Sequence, residues 1–204
     1  MPRKKRNTYK RGDQFTQRAK DEGFKARSVY KLAECDRRFR VLKQGQRVID
    51  LGCYPGSWSQ YVLQRIGRPG TLVGVDFKAP ELPRGRWIAR SVMEVTPEEL
   101  LEQLDGRADV VLSDMAQPTT GIALTDHVRQ LVLVRKALEL AVATLAPGGS
   151  LLVKVFDGEE VPQLQADIRA HFGRTRRIRP EAVRQVSREF YILAMGFKGA
   201  NTPT

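Results

Sequence analysis

Cysteine is nearly absent. Cys35 and Cys53 are the only two in 204 residues, too few for a disulfide framework, and they fit a reducing compartment. Histidine is as scarce: His127 and His171 stand alone, and neither they nor the cysteines fall into a metal-ligand spacing, so no metal is expected. No apolar run approaches the ~20 residues needed to cross a bilayer. The N-terminus is basic but has no apolar core behind it, which excludes the pattern of a secretory signal. The dinucleotide fingerprint G-x-G-x-x-G is missing as well. Acids are few at the start of the chain, where Asp13 is the one carboxylate in residues 1–20.

Basic residues are abundant. Lysine and arginine number 35 against 23 acids, a net charge of +12. Arg3, Lys4, Lys5, Arg6, Lys10, Arg11, Arg18 and Lys20 supply more than half of that excess. Residues 1–20 therefore read as a mobile basic arm suited to nucleic acid, ahead of a single domain over 21–204. Hydrophobic content of 41% fits a globular core. No oligomerisation signal is present, and a cytoplasmic monomer is expected.

The stretch Arg47 to Trp58, RVIDLGCYPGSW, organises the chain. Val48, Ile49 and Leu51 make the continuous apolar run of a buried parallel strand, with Asp50 set inside it. Gly52, Pro55 and Gly56 form a tight turn, and Ser57 and Trp58 open an amphipathic stretch. Glycine lets backbone approach a ligand closely, because no Cβ intervenes. On its glycines alone the corner reads more readily as a packing turn than as a ligand site. Asp76 changes the balance. It ends a second apolar strand, Thr71 to Asp76, about 20 residues past the turn, where a carboxylate can reach ribose hydroxyls. A buried Asp50 needs hydrogen bonds, from the turn's N–H groups or from a ligand. The pair favours an adenosine-type cofactor.

Helices are expected over Ala26 to Phe39, from Thr96-Pro97 onward, over Asp126 to Leu145 (stopped by Pro147-Gly148-Gly149) and over Glu159 to Phe172. Further strands are expected at Arg86 to Ala89, Ala108 to Ser113, Ser150 to Phe156, Arg174 to Arg179 and Phe190 to Phe197. The last two lack a helix between them and so must pair antiparallel. The fold class is α/β: an open, mostly parallel sheet with one antiparallel strand near the C-terminus. Ligands of such sheets bind beyond the strands' carboxyl ends. Asp114 sits at one such end. Lys154 lies inside the apolar LLVKVF and must snorkel, pair or work. Glu189 leads into the last strand. Singly, each of these reads as structural.

Together, they carry a resemblance. RSVYKL around Lys31, DLGCYPGSWSQ, SDMA at Asp114, Asp126-His127, LLVKVF at Lys154 and SREFY at Glu189 occur in the order of the FtsJ/RlmE ribosomal RNA 2′-O-methyltransferases. The chain resembles that family from about Ala26 to Lys198. The resemblance implies a Rossmann-like fold that binds S-adenosylmethionine and methylates a ribose, a uridine, in large-subunit ribosomal RNA on the subunit. It implies a catalytic set of Lys31, Asp114, Lys154 and Glu189. For the cofactor it implies the turn around Gly56 and Trp58, then Asp76 and Asp114; with Asp50, Gly52, Pro55, Ser57 and Ser91 these are the expected cofactor residues. Three departures stand out. The family's A-A-P-G-G-W is Cys53 to Trp58 here, its adenine-reading acid after the third strand is Ser91, and its D-M-A-P-N is Asp114 to Pro118 (DMAQP). Transfer RNA or an RNA cap as substrate, and an assembly factor that binds RNA with little activity, remain alternatives.

Overall fold

The computed structural model describes residues 9–117 and 123–199. Helix α1 (Tyr9–Asp21) precedes α2 (Val29–Phe39), β1 (Arg47–Leu51), α3 (Ser57–Ile66), β2 (Thr71–Asp76) and β3 (Arg86–Ala89). Then come α4 (Pro97–Leu104), β4 (Ala108–Ser113), α5 (Ala123–Thr144), β5 (Leu145–Phe156), α6 (Val161–His171), β6 (Phe172–Ile178) and β7 (Glu189–Phe197). The strands form one sheet in the order β3-β2-β1-β4-β5-β7-β6. β1 to β5 pair parallel, and β7 alone runs against its neighbours β5 and β6. The order reverses between β1 and β4, so the crevice beyond their carboxyl ends is the switch point.

Apolar residues on both sides of each central strand give the sheet two buried faces. Val48, Leu72, Leu112, Leu152 and Leu193 pack under Leu32 of α2 and Trp58, Val62 and Ile66 of α3. Ile49, Val73, Val111, Val153 and Ile192 pack under α4, α5 and α6. The result is the three-layer sandwich that a continuous apolar run such as VID-L requires.

Several boundaries differ from the sequence reading. The stretch assigned to a mobile arm includes α1, and residues 1–8 lie outside the described part. Phe15 and Ala19, four residues apart, put one face of α1 against Tyr30 and Phe24, and the Arg18 guanidinium lies 4.7 Å from the Tyr30 ring centre. Two apolar residues among many charges were too sparse a stripe to announce a helix. α2 begins at Val29 instead of Ala26, but the preceding turn is already wound, with Val29, Tyr30 and Lys31 N–H groups bonded three residues back. Pro147-Gly148-Gly149 does not separate α5 from β5. Leu145 already pairs with Ala108, the next residues loop out, and pairing resumes with Ser150 opposite Val110. Thr96 caps α4 as expected, accepting from the Glu99 N–H, with Pro97 first in the helix.

Asp36 ties the α2 layer together. Buried at the end of α2, its carboxylate accepts from Leu42 N at 2.8 Å, Tyr61 Oη at 2.9 Å and Arg65 Nε at 2.8 Å. These bonds join α2, the chain leading to β1, and α3. Asp36→Ala strands a buried N–H and a half-buried hydroxyl, and should lower the unfolding free energy by about 2–4 kcal/mol. Urea denaturation measures it; a loss under about 0.5 kcal/mol, ordinary for surface changes, would show that the layer holds without it.

Candidate active site

β1 delivers Asp50 into the centre of the sheet with no solvent exposure. One carboxylate oxygen accepts from Ser59 Oγ at 2.6 Å. The donor is thus the first turn of α3, not the turn N–H groups that the sequence suggested. The other oxygen is buried with no hydrogen-bond partner among the described residues. Burial pushes the Asp50 pKa up to about 7; the Ser59 bond opposes this, while Asp114 and Asp76 add to it.

The turn after β1 is held from two sides. Gly52 N and Cys53 N donate to Val75 O, at 2.8 and 3.3 Å. Asp76 accepts from Tyr54 N at 2.9 Å and from Phe77 N at 2.7 Å. A carboxylate has about four acceptor positions, so both oxygens can take further donors. Gly52 has φ +80°, and a Cβ there would lie 2.7 Å from Met115 Cγ and 3.1 Å from the Met115 backbone. Glycine therefore lets the β1 turn sit flush against the chain leaving β4. Pro55 follows a cis peptide bond, and Gly56 (φ +110°) leads into α3.

Ser57 and Trp58 face inward. The Ser57 and Ser28 hydroxyls are 2.8 Å apart, and Trp58 Nε1 donates to Ser28 O at 2.8 Å. Their side chains fasten α3 to α2, and what they offer a cofactor is backbone at the start of α3. Ser91 Oγ is directed to its own chain, accepting from Met93 N at 3.3 Å at the start of a 3₁₀ turn, Val92–Glu94. Around the same end of the sheet, Tyr54, Phe77 and Met93 follow β1, β2 and β3 and are exposed by 52%, 75% and 48%. Solvent-facing apolar side chains in one region mark a binding surface. The sequence reading met Tyr54 only as a departure from the family's turn and passed over Phe77 and Met93.

The four expected catalytic residues converge. Antiparallel pairing sets Lys154 across from Tyr191 and Phe156 across from Glu189. Lys154 Nζ donates to Asp114 O at 2.6 Å and lies 3.1 Å from Asp114 Oδ1. Lys31, from the first turn of α2, forms an ion pair with Glu189. Tyr191, absent from the sequence-derived set, joins the two pairs. Its hydroxyl donates to Asp114 Oδ1 at 2.6 Å, and Lys31 Nζ stands 5.9 Å from its ring centre. Burial, with Asp114 and Glu189 nearby, raises the Tyr191 pKa well above its ordinary value, so it remains a donor. Its signal was available: in SREFY, Glu189 and Tyr191 alternate onto one face of a strand. Two cations and two acids, each largely buried, balance in charge, which is what permits their burial.

Gln130 gave no signal at all. It is a buried amide on α5 whose Nε2 donates to Met115 O at 3.1 Å and Lys154 O at 3.0 Å. It thereby braces the ends of β4 and β5 beside Asp114 and Lys154. His127, buried three residues earlier on α5, pairs with Glu160 at the head of α6.

The chain matches the model of the FtsJ-like methyltransferases over residues 24–197. It is 40% identical over 192 residues to ribosomal RNA large subunit methyltransferase E of Desulfatibacillum aliphaticivorans, covering 93% of this chain and 92% of that protein. It is 42% identical over 203 residues to the protein of the same name from Sorangium cellulosum, covering 98% and 95%. A solved structure described as a ribosomal RNA methyltransferase, from Plasmodium falciparum, superposes with a TM-score of 0.77 at 27% identity, covering 86% of this chain and all of that one.

Asp50 generates a prediction about pH. Between the ordinary 3.8 and about 7, the folded carboxyl holds a proton that the unfolded one has released. Wild-type stability therefore loses a contribution as pH rises through that window and loses no more above it. Asp50→Asn cannot titrate. Its stability relative to wild type should climb by a few kcal/mol from about pH 4 to pH 7 and then level off. Urea midpoints of both proteins across that range test this, and a difference independent of pH would mean that Asp50 titrates normally.

Proposed function

The chain belongs to the FtsJ-like methyltransferase family, and from that we propose that it moves a methyl group from S-adenosylmethionine to a ribose 2′-hydroxyl of large-subunit ribosomal RNA. The target is a uridine, methylated on the large subunit, and the protein works as a cytoplasmic monomer. The observation that carries this reading is the meeting of Lys154–Asp114 and Lys31–Glu189 at the carboxyl ends of the strands, beside a glycine corner. The near-full-length identity to proteins named for this substrate supports it.

The corner's residues fit the cofactor. Asp50 has a buried oxygen without a donor among the described residues, the start of α3 offers backbone N–H groups, and Asp76 has acceptor capacity for ribose hydroxyls. The exposed rings of Tyr54 and Phe77, with Met93, suit the faces of a planar base. S-adenosylmethionine supplies an electrophilic methyl group on a sulfonium. In such a displacement the protein's tasks are alignment of the nucleophile, exclusion of water and removal of one proton.

Lys154 handles the proton. Its nitrogen donates to Asp114 O and is ion-paired with Asp114 Oδ1, and its remaining position is the one for the 2′-oxygen. Asp114 is itself held by Tyr191 and so orients the amine. Lys31 and Glu189, paired next to Tyr191, position the ribose through hydrogen bonds to its hydroxyls. The basic stretch 1–20 serves as an RNA-binding arm, its second half being α1 with Phe15 and Ala19 turned inward.

Lys154→Ala should lower single-turnover methyl transfer on large subunits by at least about 10²-fold, the usual reach of a positioned proton acceptor, with cofactor affinity within about twofold by calorimetry. A rate that rises with pH in the wild type, with the rise lost in Lys154→Arg, would assign the proton acceptor. A flat profile with partial rescue by Arg would instead assign a fixed cation beside the alkoxide. Mapping 2′-O-methylation in cells lacking the protein names the nucleotide; an unchanged map would overturn the reading.

A further inference from the structure

Between β6 and β7 lies a loop, residues 179–188, without regular structure but with an unusual number of ties. Arg179 Nη2 donates to the carbonyls of Arg184, Gln185 and Ser187, the last at 2.6 Å. Arg27 Nη2 donates to Ala182 O at 3.3 Å, Glu181 N donates to Glu34 at 2.8 Å, and Asp157 N donates to Arg188 O at 3.0 Å. Ala182 and Val183 are buried and pin its first half. One end of the loop runs directly into Glu189.

The side chains held up by this frame do not pack. Val186 is 87% exposed, and a β-branched residue on a fixed backbone is a stiff apolar knob. Arg184 and Arg188 are exposed and make no ion pair among the described residues. Arg27 is half-buried within electrostatic reach of both Arg184 and Glu189; burial and then Arg184 lower its pKa, while Glu189 opposes them. Arg184 and Arg188 thus present guanidinium groups to solvent on a loop that Arg27 helps to hold beside Glu189. A groove of about 610 Å³ runs beside the loop, bounded by Arg179, Val186, Arg188, Asp157 and Glu159. Of its two acids, Asp157 is neutralised by Arg177 at 2.9 Å.

We propose that loop 179–188 is the seat of the RNA strand adjoining the target ribose, with Arg184 and Arg188 gripping backbone phosphates and Val186 lying against a neighbouring base. The proposal rests on the reading above, that the substrate is RNA. Phosphate contacts fix register and base contacts refine it. A frame locked by backbone hydrogen bonds presents both with little entropy left to lose on binding. Arg184 and Arg188, without an ion pair among the described residues, favour a polyanion over a protein surface, and an apolar knob between cations suits a strand that offers phosphates and base faces alternately.

The test uses the full chain, S-adenosylmethionine and large ribosomal subunits from cells lacking this protein. The variants are Arg184→Ala, Val186→Asp and, as control, Arg174→Ala at the far end of β6. All three sites are solvent-exposed, so folding is not at stake, and melting temperatures verify it. Arg184→Ala should weaken RNA binding by about tenfold and reduce the slope of log K against log salt by about 0.7. Val186→Asp should raise the KM for subunits by about fivefold or more, as expected for loss of a base contact. Cofactor affinity and the Arg174→Ala control should not move. Wild-type turnover with unchanged RNA affinity, salt slope and KM in both loop variants overturns the platform and leaves the methyltransferase reading standing. A wild-type protein that neither binds nor methylates RNA overturns that reading, and the platform with it.

Discussion

An amine inside a β-sheet has to be answered by acceptors, and this molecule is built around the answer to Lys154. The strand β5 is buried on both faces, so Lys154 cannot reach bulk water along it. Asp114, at the end of the adjacent strand, supplies a carbonyl and a carboxylate oxygen within hydrogen-bond reach. That carboxylate is then itself a buried charge, and Tyr191 donates to it from β7. Tyr191 is directly across from Lys154 because β7 runs antiparallel to β5. The single reversed strand thus has a chemical consequence. It brings the chain back so that Glu189 and Tyr191 enter the cluster from the side opposite Asp114. A parallel strand there would present its carboxyl end, and the SREFY segment would lie at the far edge of the sheet.

The proposed cofactor corner and the proposed catalytic cluster are mechanically one piece. Met115 follows Asp114 directly, and its side chain occupies the space that a Cβ on Gly52 would fill. The Met115 carbonyl is also one of the two gripped by Gln130, the other being that of Lys154. A displacement of the glycine turn therefore passes to the chain carrying Asp114, and from there to Lys154. In-line transfer depends on the separation between methyl donor and nucleophile, and a rigid link between the two half-sites fixes that separation before either ligand arrives. On the other face, Ser28 receives both Trp58 and Ser57 and stands three residues before Lys31. The second cation is thus referenced to the same turn.

Most of the sheet was legible because its strands are continuous apolar runs bounded by turn residues: Thr71 to Asp76 and Ala108 to Ser113 fall where their patterns end. The reversal of β7 followed from the lack of room for a crossover after β6. Lys154 stood out because a lysine in LLVKVF contradicts its surroundings. Resemblance, not spacing, grouped it with Lys31, Asp114 and Glu189, since four residues scattered from 31 to 189 share no local pattern. Tyr191 was hidden by looking like core, which by burial it is. Gln130 was hidden because its work is done on backbone carbonyls, which leave no trace in side-chain sequence. α1 was missed because seven surplus charges in residues 1–20 outweighed Phe15 and Ala19 in any composition-based reading.

The departures from the family's turn can be followed into the structure. Cys53 stands where an alanine is usual, and its added bulk turns inward. The residue is buried, and a Cβ on Gly74, in the neighbouring strand, would lie 2.9 Å from its sulfur. Glycine at 74, also pressed by the Trp87 ring, therefore makes the space that the thiol fills. Tyr54, in place of the second alanine, goes the other way: its backbone N–H is spent on Asp76 and its ring is half in solvent. Ser57 in place of glycine gains a hydroxyl that meets Ser28. Two of the three changes are thus absorbed on the α2/α3 side and within the sheet, away from the crevice, while Tyr54 adds an aromatic ring to its rim. Loss of the adenine-reading acid at Ser91 falls on this same rim. Exposed apolar surface from Tyr54, Phe77 and Met93 can hold a base by contact area at roughly 25 cal/mol per Å², where a carboxylate would hold it by a hydrogen bond.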